Sequence, residues 1–288
     1  MSSNSPKSVV LLNREFATAS STTQTLDNRA FRFGDGVFES IRVIQGRPLF
    51  VSHHYKRLTN GLRILGIELP DWFNESLFIS QLEQLCYHNK VFLGGKIRYQ
   101  VYRSGSGVYA PRQDEATFYA DIDPFDLETY DLNAIQKLAV YEGIKLHFSA
   151  ISTIKTCNSL PYILATKYAR QQGYHNALLM SHSGNLAEAS NANLFVVQGG
   201  NLFTPPASEG VLLGVMRQQI LTIANALGIP THETPISLNM VNHAQEVFTT
   251  NVITGLQPIR FVKGLETTFS VNGEILTKLF QALLGQIQ

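Results

Sequence analysis

The spacing of apolar and polar residues divides the chain into strand-like and helix-like segments. Residues 36–44 (GVFESIRVI) and 96–102 (KIRYQVY) are rich in β-branched and aromatic types, which favours strands. Between them, leucines recur at helical spacing in 52–65 and again in 74–89, which predicts two helices. A third strand, 117–123 (TFYADID), closes this first half of the chain.

The second half continues with the same two kinds of segment. Strands are predicted over residues 136–141, 144–149, 176–181 and 193–197, and helices over 162–172, from near Gly214 onward and over 272–286. Pro161 and Gly173 flank the first of these helices, as expected at helix ends. Strands outnumber helices and do not alternate regularly with them, which predicts an α+β fold rather than a doubly wound sheet.

The length of 288 residues is sufficient for two domains. Pro124 and the acidic residues that follow it are typical of a linker. We therefore predict an N-terminal α+β domain over 1–122, a linker over 123–132 and a C-terminal α+β domain over 133–288.

The composition excludes several classes of protein. Charged residues make up 16% of the chain, below the roughly 25% of an average soluble protein, which favours burial of some surface against a partner subunit. Lys and Arg number 23 against 22 Asp and Glu, with no basic stripe of the kind that binds nucleic acid. No apolar run is long enough for a membrane span or a secretory signal.

Two cysteines, Cys86 and Cys157, supply no disulfide framework and no zinc site. We therefore predict a cytoplasmic protein without a metal.

Three charged residues are candidates for chemistry, and each has an ordinary alternative. Lys155 follows apolar and small residues and precedes a helix, where partial desolvation makes a lysine a nucleophile or base; alternatively it extends into solvent. Glu188 follows a turn and precedes an apolar strand, where it can orient a cationic ring nitrogen or be an exposed acid. Arg57, one turn after His53 and His54, can clamp a phosphate or be a solvated helix arginine.

A glycine-containing loop at 210–217 (GVLLGVMR) leads into a predicted helix. Backbone N–H groups at a helix start form a seat for phosphate. The sequence contains no Walker A loop and no motif of zinc peptidases, dithiol redox proteins or α/β-hydrolases.

Taken in order, these motifs resemble the fold-type IV pyridoxal-phosphate enzymes, which include branched-chain aminotransferases, D-amino-acid aminotransferases and 4-amino-4-deoxychorismate lyase. The resemblance covers most of the chain, from FGDGVFESIRV at 33–43 to EVFTTNVITGLQPI at 246–259. It includes H-x-x-R-L at 54–58, K-x-x-N at 155–158 and E-A-S-x-A-N-L-F at 188–195.

The resemblance implies a homodimer with the active site between the two domains of a subunit, closed by residues of the partner. It implies that Lys155 carries pyridoxal 5'-phosphate as a Schiff base and moves the substrate's proton, while Glu188 pairs with the pyridine nitrogen. Asn193 would support Glu188. The phosphate would be held by Arg57 with the backbone of Leu213, Gly214, Val215, Asn251 and Val252.

Several motifs separate the members of this family. The R-x-H pair of the D-amino-acid enzymes is replaced by Val108 and Ala110, and Ser159 stands where the branched-chain enzymes place a tyrosine. G-V-M-R at 214–217, T-N-V-I at 250–253 and R-x-G-x-G-x-Y at 103–109 look similar to aminodeoxychorismate lyase.

The resemblance therefore predicts a lyase of folate biosynthesis that converts 4-amino-4-deoxychorismate to 4-aminobenzoate and pyruvate. Arg98, Arg103 and Tyr109 are the candidate substrate-binding residues, although either arginine can instead be a strand-surface residue. Ser40 is a candidate for passing a proton to the leaving group. The alternatives are an aminotransferase of branched-chain or D-amino acids and a cofactor-binding homologue without turnover; the second is disfavoured because both Lys155 and Glu188 are present.

Overall fold

The computed structural model describes residues 8–22 and 27–287. These residues form two compact units, one made of the described residues up to Thr129 with Ile154–Asn158, the other of Tyr130–Thr153 and the residues from Ser159 onward. The first crossing between units lies inside the predicted linker, 123–132. Lys155 was expected in the second domain, because it lies within 133–288. Its segment, Ile154–Asn158, instead groups with the first unit.

The first unit is built on an antiparallel sheet of six strands in the order β2-β1-β6-β5-β3-β4. Its strands are β1 (Val9–Leu12), β2 (Glu15–Thr18), β3 (Gly36–Ile44), β4 (Arg47–Pro48), β5 (Gly94–Arg103) and β6 (Ala116–Pro124). Its helices are α1 (Arg29–Phe33), α2 (Val51–Leu65) and α3 (Glu75–His88), with a 3-10 turn over Ala19–Ser21. The predicted helices over 52–65 and 74–89 are thus confirmed within two residues.

One face of this sheet packs against α2 and α3 to form the core. Leu58 and Leu62 of α2 and Leu82 of α3 are fully buried with Ile41 and Ile97 of the sheet. Each such side chain contributes roughly 1.5–3 kcal/mol when it is removed from water. Because strand side chains alternate between faces, the other face of β3, β5 and β6 is available for polar residues.

The second unit is a mixed eight-stranded sheet in the order β12-β11-β10-β13-β14-β7-β8-β9, in which β9 also pairs with β10. Its strands are β7 (Gln136–Leu146), β8 (Asn176–Ser181), β9 (Leu186–Ala189), β10 (Ala192–Gln198), β11 (Asn201–Thr204), β12 (Thr231–Glu233), β13 (Glu246–Asn251) and β14 (Gly255–Val262). Its helices are α4 (Leu160–Gln171), α5 (Val215–Ala226), α6 (Leu238–Asn242) and α7 (Glu274–Ile287), with a 3-10 turn over Ala207–Glu209. The extra β9–β10 pairing joins six strands in a closed ring.

The two strands predicted over 136–141 and 144–149 are a single strand, β7. Its pairing with β8 shifts register between Tyr141 and Lys145, which indicates a bulge. The bulge interrupts the alternation of apolar and polar residues along the strand, so the sequence pattern suggests two strands where there is one. The α+β class is confirmed, and the predicted helices of this half agree with α4, α5 and α7 within about two residues.

Candidate active site

Lys155 lies on a short segment that runs along β3 in the first unit. The amide of Phe38 donates to the Lys155 carbonyl at 2.9 Å, and the amide of Cys157 donates to the Gly36 carbonyl at 2.9 Å. The Lys155 ammonium lies 4.5 Å from the centre of the Phe38 ring, within cation–π range. The lysine is therefore held against the sheet and is only partly exposed.

The face of the first sheet opposite its helices carries a block of six side chains, which we call the polar face. It consists of Phe38 and Ser40 on β3, Arg98 and Gln100 on β5, and Tyr119 and Asp121 on β6. Arg98 pairs across the strands with Ser40 and with Asp121, and Gln100 pairs with Phe38 and with Tyr119. Residues directly opposite on neighbouring strands lie on the same face, so the six side chains are neighbours.

Arg98 is the cation of the polar face. Its guanidinium carbon lies 3.8 Å from the centre of the Phe38 ring, the ring that Lys155 also contacts. Its Nε and Nη2 donate to Gln100 Oε1 at 3.2 and 3.1 Å. Arg98 and Lys155 thus share one aromatic neighbour, which places a carboxylate-binding group beside the candidate nucleophile.

Tyr119 and Asp121 supply the acidic groups of the polar face and hydrogen-bond to each other. Burial, reinforced by the neighbouring Asp121 charge, raises the pKa of Tyr119 to about 12. Burial also raises the pKa of Asp121, against the hydrogen bond from Tyr119 and the charge of Arg98. Neither residue belongs to a recognised motif; the available signal in the sequence is their period-two spacing in TFYADID.

Arg103 occupies a different environment from the one expected of a substrate-binding arginine. Its Nε donates to Asp35 Oδ2 at 3.0 Å, and it donates to the carbonyls of Gly66 at 2.9 Å and Leu65 at 2.6 Å. It also pairs with Asp114, and its side chain is only 8% exposed. These contacts do not support the expected substrate-binding role of Arg103, because its guanidinium joins loops of the first unit to each other.

Tyr109 lies in the loop between β5 and β6. It is 90% exposed, and its ring centre lies 5.9 Å from that of Phe33. Tyr109 is therefore not enclosed by the described part of the chain, and its substrate role stays a prediction.

Arg57 is part of a buried ionic group that the sequence did not reveal. Its Nε donates to Glu39 Oε1 at 2.8 Å, and its Nη2 forms an ion pair with Glu39 Oε2. His54 Nδ1 contacts the same Oε2 at 2.7 Å. Burial acts to raise the pKa of Glu39, but the charge and hydrogen bonds of Arg57, with those of His54, prevail and lower it to about 2.

His54 is best described as neutral in this group. Burial lowers its pKa, although Glu39 acts in the opposite direction. The ionised Glu39 can only accept, so His54 Nδ1 carries the proton. Arg57, 12% exposed, is therefore not a solvated helix arginine but is held by Glu39.

Glu188 lies on β9 in the second unit and is 3% exposed. Its Oε1 accepts from the Tyr162 hydroxyl at 2.8 Å, and its Oε2 accepts from Asn193 Nδ2 at 3.0 Å. The Leu212 amide lies 3.2 and 3.1 Å from the two oxygens. Glu188 is therefore a buried and hydrogen-bonded carboxyl group, not an exposed turn acid.

The start of α5 has the geometry of a phosphate seat. Gly214 precedes the helix, and a Cβ there would overlap Asn193 Oδ1, so any other residue would require Asn193 to move. Thr250 lies opposite Asn193 on β13, on the same sheet face. Among the described residues, the buried Thr250 hydroxyl has no hydrogen-bond partner. The first-turn amides, including that of Val215, have no intrahelical acceptor and can bind an anion.

The residues of three other predicted phosphate contacts also make contacts within the second unit. The Leu213 amide donates to the Thr153 carbonyl at 3.3 Å, and its assignment to phosphate stays a prediction. The Asn251 side chain accepts from the amides of 253 and 254, both at 2.9 Å, and so holds the turn after β13. The Val252 carbonyl accepts from the Tyr130 hydroxyl at 2.8 Å.

Within residues 8–22 and 27–287, no group of His, Cys, Asp and Glu side chains is arranged to hold a metal ion. In the same part of the chain, no helix has both the length and the apolar character needed to cross a membrane.

The family model for amino-transferase class IV matches residues 36–262, which is most of the chain. The chain belongs to the class IV aminotransferase family. Members of this family are enzymes that use pyridoxal phosphate, and their solved structures have the fold-type IV architecture seen here.

Named members of the class IV family show the range of activities among its relatives. A D-alanine aminotransferase of Listeria monocytogenes serotype 4b (strain F2365) is 28% identical, with 96% of each chain covered. A branched-chain aminotransferase structure from Thermoproteus uzoniensis matches with a TM-score of 0.87 and 25% identity, covering 95% of this chain and 92% of that one. A structure from Legionella pneumophila named "Putative 4-amino-4-deoxychorismate lyase" matches with a TM-score of 0.83 and 24% identity, covering 94% and 97%.

The residues present fit the family cofactor. Lys155 is a restrained, partly buried amine, Glu188 is an anchored carboxylate, and Gly214 opens a helix start against Asn193, which lies opposite Thr250. An amine, an anion and a phosphate seat are the three features that the aldehyde, ring nitrogen and phosphate of pyridoxal phosphate require.

Proposed function

We propose that this class IV enzyme is a lyase that converts 4-amino-4-deoxychorismate to 4-aminobenzoate and pyruvate. The polar face beside Lys155 carries the proposal, because Arg98 suits a substrate carboxylate and Gln100 and Tyr119 add hydrogen-bonding groups beside it. A branched aliphatic side chain packed there would desolvate these groups without replacing their hydrogen bonds, at about 1–3 kcal/mol for each group.

The roles of the residues follow from their chemistry. When bound, the cofactor supplies an electron sink for the carbon that bears the amino nitrogen. Lys155 Nζ takes the proton from that carbon, and Arg98 binds a substrate carboxylate. Ser40 lies directly opposite Arg98 on the same face, and its proposed role is to pass a proton to the departing enolpyruvyl group as its C–O bond breaks.

In the second unit, Glu188 holds the ring nitrogen in its protonated form, and Asn193 supports Glu188. The phosphate is assigned to the first-turn amides of α5, including Val215, with Gly214 giving them room. Arg57, oriented by Glu39, stays a proposed phosphate ligand.

The decisive experiment supplies purified, cofactor-saturated enzyme with 4-amino-4-deoxychorismate and no keto acid. We expect equal amounts of 4-aminobenzoate and pyruvate over many turnovers. An aminotransferase would stop after one turnover per site, because its cofactor would remain in the amine form. Either that single turnover or the absence of both products would refute the lyase assignment.

The alternative is an aminotransferase, which the coverage of 96% with the D-alanine aminotransferase favours. Val108 and Ala110 replace the R-x-H pair typical of D-amino-acid enzymes, which disfavours that substrate class. A panel of D- and L-amino acids, read by loss of the visible cofactor band, would identify the donor if the lyase assay fails.

We further propose a cytoplasmic homodimer. Phe31, Val108 and Tyr109 are 77%, 69% and 90% exposed on the first unit, and such large apolar groups are typical of subunit contacts. Light scattering of the purified enzyme should give twice the 32.0 kDa chain mass; a monomer mass would contradict the proposal.

A further inference from the structure

Tyr162 is a partly buried neighbour of Glu188 that has no role in the reaction described above. It lies in the first turn of α4, with Pro161 before it. Its hydroxyl donates to Glu188 Oε1 at 2.8 Å. The Glu188 carboxylate can act only as an acceptor when ionised, so the direction of this hydrogen bond is fixed.

The hydroxyl stays protonated under all ordinary conditions. Burial, followed by the charge of Glu188 and the hydrogen bond to it, raises the pKa of Tyr162. Tyr162 is therefore a permanent neutral donor, unlike a lysine or histidine, whose charge would compete with a cationic ring for the same carboxylate.

The donors around Glu188 come from different elements and hold both oxygens. Tyr162 of α4 contacts Oε1, Asn193 of β10 contacts Oε2, and the Leu212 amide lies near both. Asn193 Nδ2 is also within 2.7 Å of the Leu212 carbonyl. The carboxylate plane is thus fixed from two sides, and each donor lowers its affinity for a proton.

We propose that Tyr162 is a positioning residue that orients Glu188 and keeps a shared proton on the cofactor's ring nitrogen rather than on the carboxylate. The inference rests on the proposed pairing of Glu188 with that nitrogen. Without the Tyr162 donor, the carboxylate becomes more basic and competes for the proton. The cofactor then withdraws electrons less strongly, although its phosphate and aldehyde contacts are unchanged.

The test is the nitrogen NMR signal of enzyme loaded with ¹⁵N-ring-labelled pyridoxal phosphate. We compare the natural enzyme with Tyr162→Phe, which removes only the hydroxyl. A hydrogen bond to a charged group contributes about 1.5–3 kcal/mol, which converts to a roughly ten- to hundred-fold shift of the proton toward Glu188. We expect the signal of Y162F to move toward that of an unprotonated pyridine.

Tyr168→Phe is the matched control. Tyr168 lies on the same helix, and its ring packs against Tyr141 at 5.4 Å, so the change removes one hydroxyl from α4 away from Glu188. We expect Y168F to leave the nitrogen signal unchanged. A signal of Y162F equal to that of the natural enzyme, or an equal change in Y168F, would overturn the proposal.

A second measurement separates this proposal from the role of Glu188 itself. Glu188→Gln should move the nitrogen signal more than Y162F does. If E188Q leaves the nitrogen signal unchanged, the pairing of Glu188 with the ring is wrong; if E188Q moves the signal and Y162F does not, only the Tyr162 proposal fails.

A third measurement uses a cofactor analogue that has CH in place of the ring nitrogen. Binding of this analogue to the natural enzyme and to Y162F should be equal. A remaining difference would assign Tyr162 a purely structural effect.

Discussion

Replacing Glu39 with glutamine tests the buried ionic group of the first unit. The substitution keeps the size and most hydrogen-bonding capacity of the side chain but removes its charge. Arg57 then remains 12% exposed with no carboxylate beside its Nε and Nη2. Breaking a buried pair by removing one partner costs about 3–5 kcal/mol, so we expect E39Q to lower the free energy of unfolding by that amount near neutral pH.

The same group predicts how this difference depends on pH. The pKa of Glu39 is about 2 in the folded chain, against an ordinary value of 4.5. A lowered pKa contributes stability above the unfolded value, and that stability is lost as the pH falls toward the folded value. The difference corresponds to about 3 kcal/mol, which the natural protein should lose between about pH 5 and pH 2 and E39Q should not.

Urea unfolding followed by circular dichroism measures both quantities in cofactor-free protein. Glu274→Gln is the control, because Glu274 is an exposed acid whose pKa is lowered by Lys278, and it should change the curves little. We expect the difference in the free energy of unfolding between the natural protein and E39Q to decrease by about 3 kcal/mol as the pH falls. A difference that stays constant with pH, or equal free energies of unfolding of the two proteins at neutral pH, would refute the reasoning.

Four further substitutions test the candidate site and the neighbouring Arg103. Lys155→Ala should abolish the covalent adduct that borohydride forms between cofactor and chain, read by mass spectrometry; a surviving adduct would assign another lysine. Gly214→Ala should weaken pyridoxal phosphate binding at least about tenfold by displacing Asn193 at the phosphate seat, measured by fluorescence titration, while binding of pyridoxal without phosphate should weaken less; equal loss of both would contradict the phosphate seat. Arg98→Met should raise KM about tenfold or more with a nearly unchanged melting temperature, whereas Arg103→Met should lower the melting temperature by several degrees; the reverse pattern would exchange their roles.

Local patterns predicted the helices and several strands because their signals lie within a few turns of chain. Leu58 and Leu62 mark the buried stripe of α2, and Asn74 accepts from the Leu77 amide at 3.0 Å at the start of α3. The bulge in β7 was missed because nothing in its sequence distinguishes a register shift from a strand end.

The candidate site was predicted only as single residues. Lys155, Glu188 and Arg57 were recognised through motifs, but their partners lie far away in sequence. Glu39 precedes Arg57 by 18 residues, and Tyr162 precedes Glu188 by 26. Such pairings depend on which strands and helices become neighbours, which local spacing does not encode.

The grouping of Ile154–Asn158 with the first unit has a consequence for biosynthesis. The chain passes from one unit to the other after Thr129, returns at Ile154 and leaves again after Asn158. Neither unit is therefore a continuous stretch of polypeptide. A ribosome that has released residues 1–129 has not yet supplied the segment that runs along β3, so the first unit is completed only after part of the second has emerged. Truncation at the linker would accordingly yield a fragment without Lys155, and separate expression of the halves would require fragment complementation to rebuild the lysine segment.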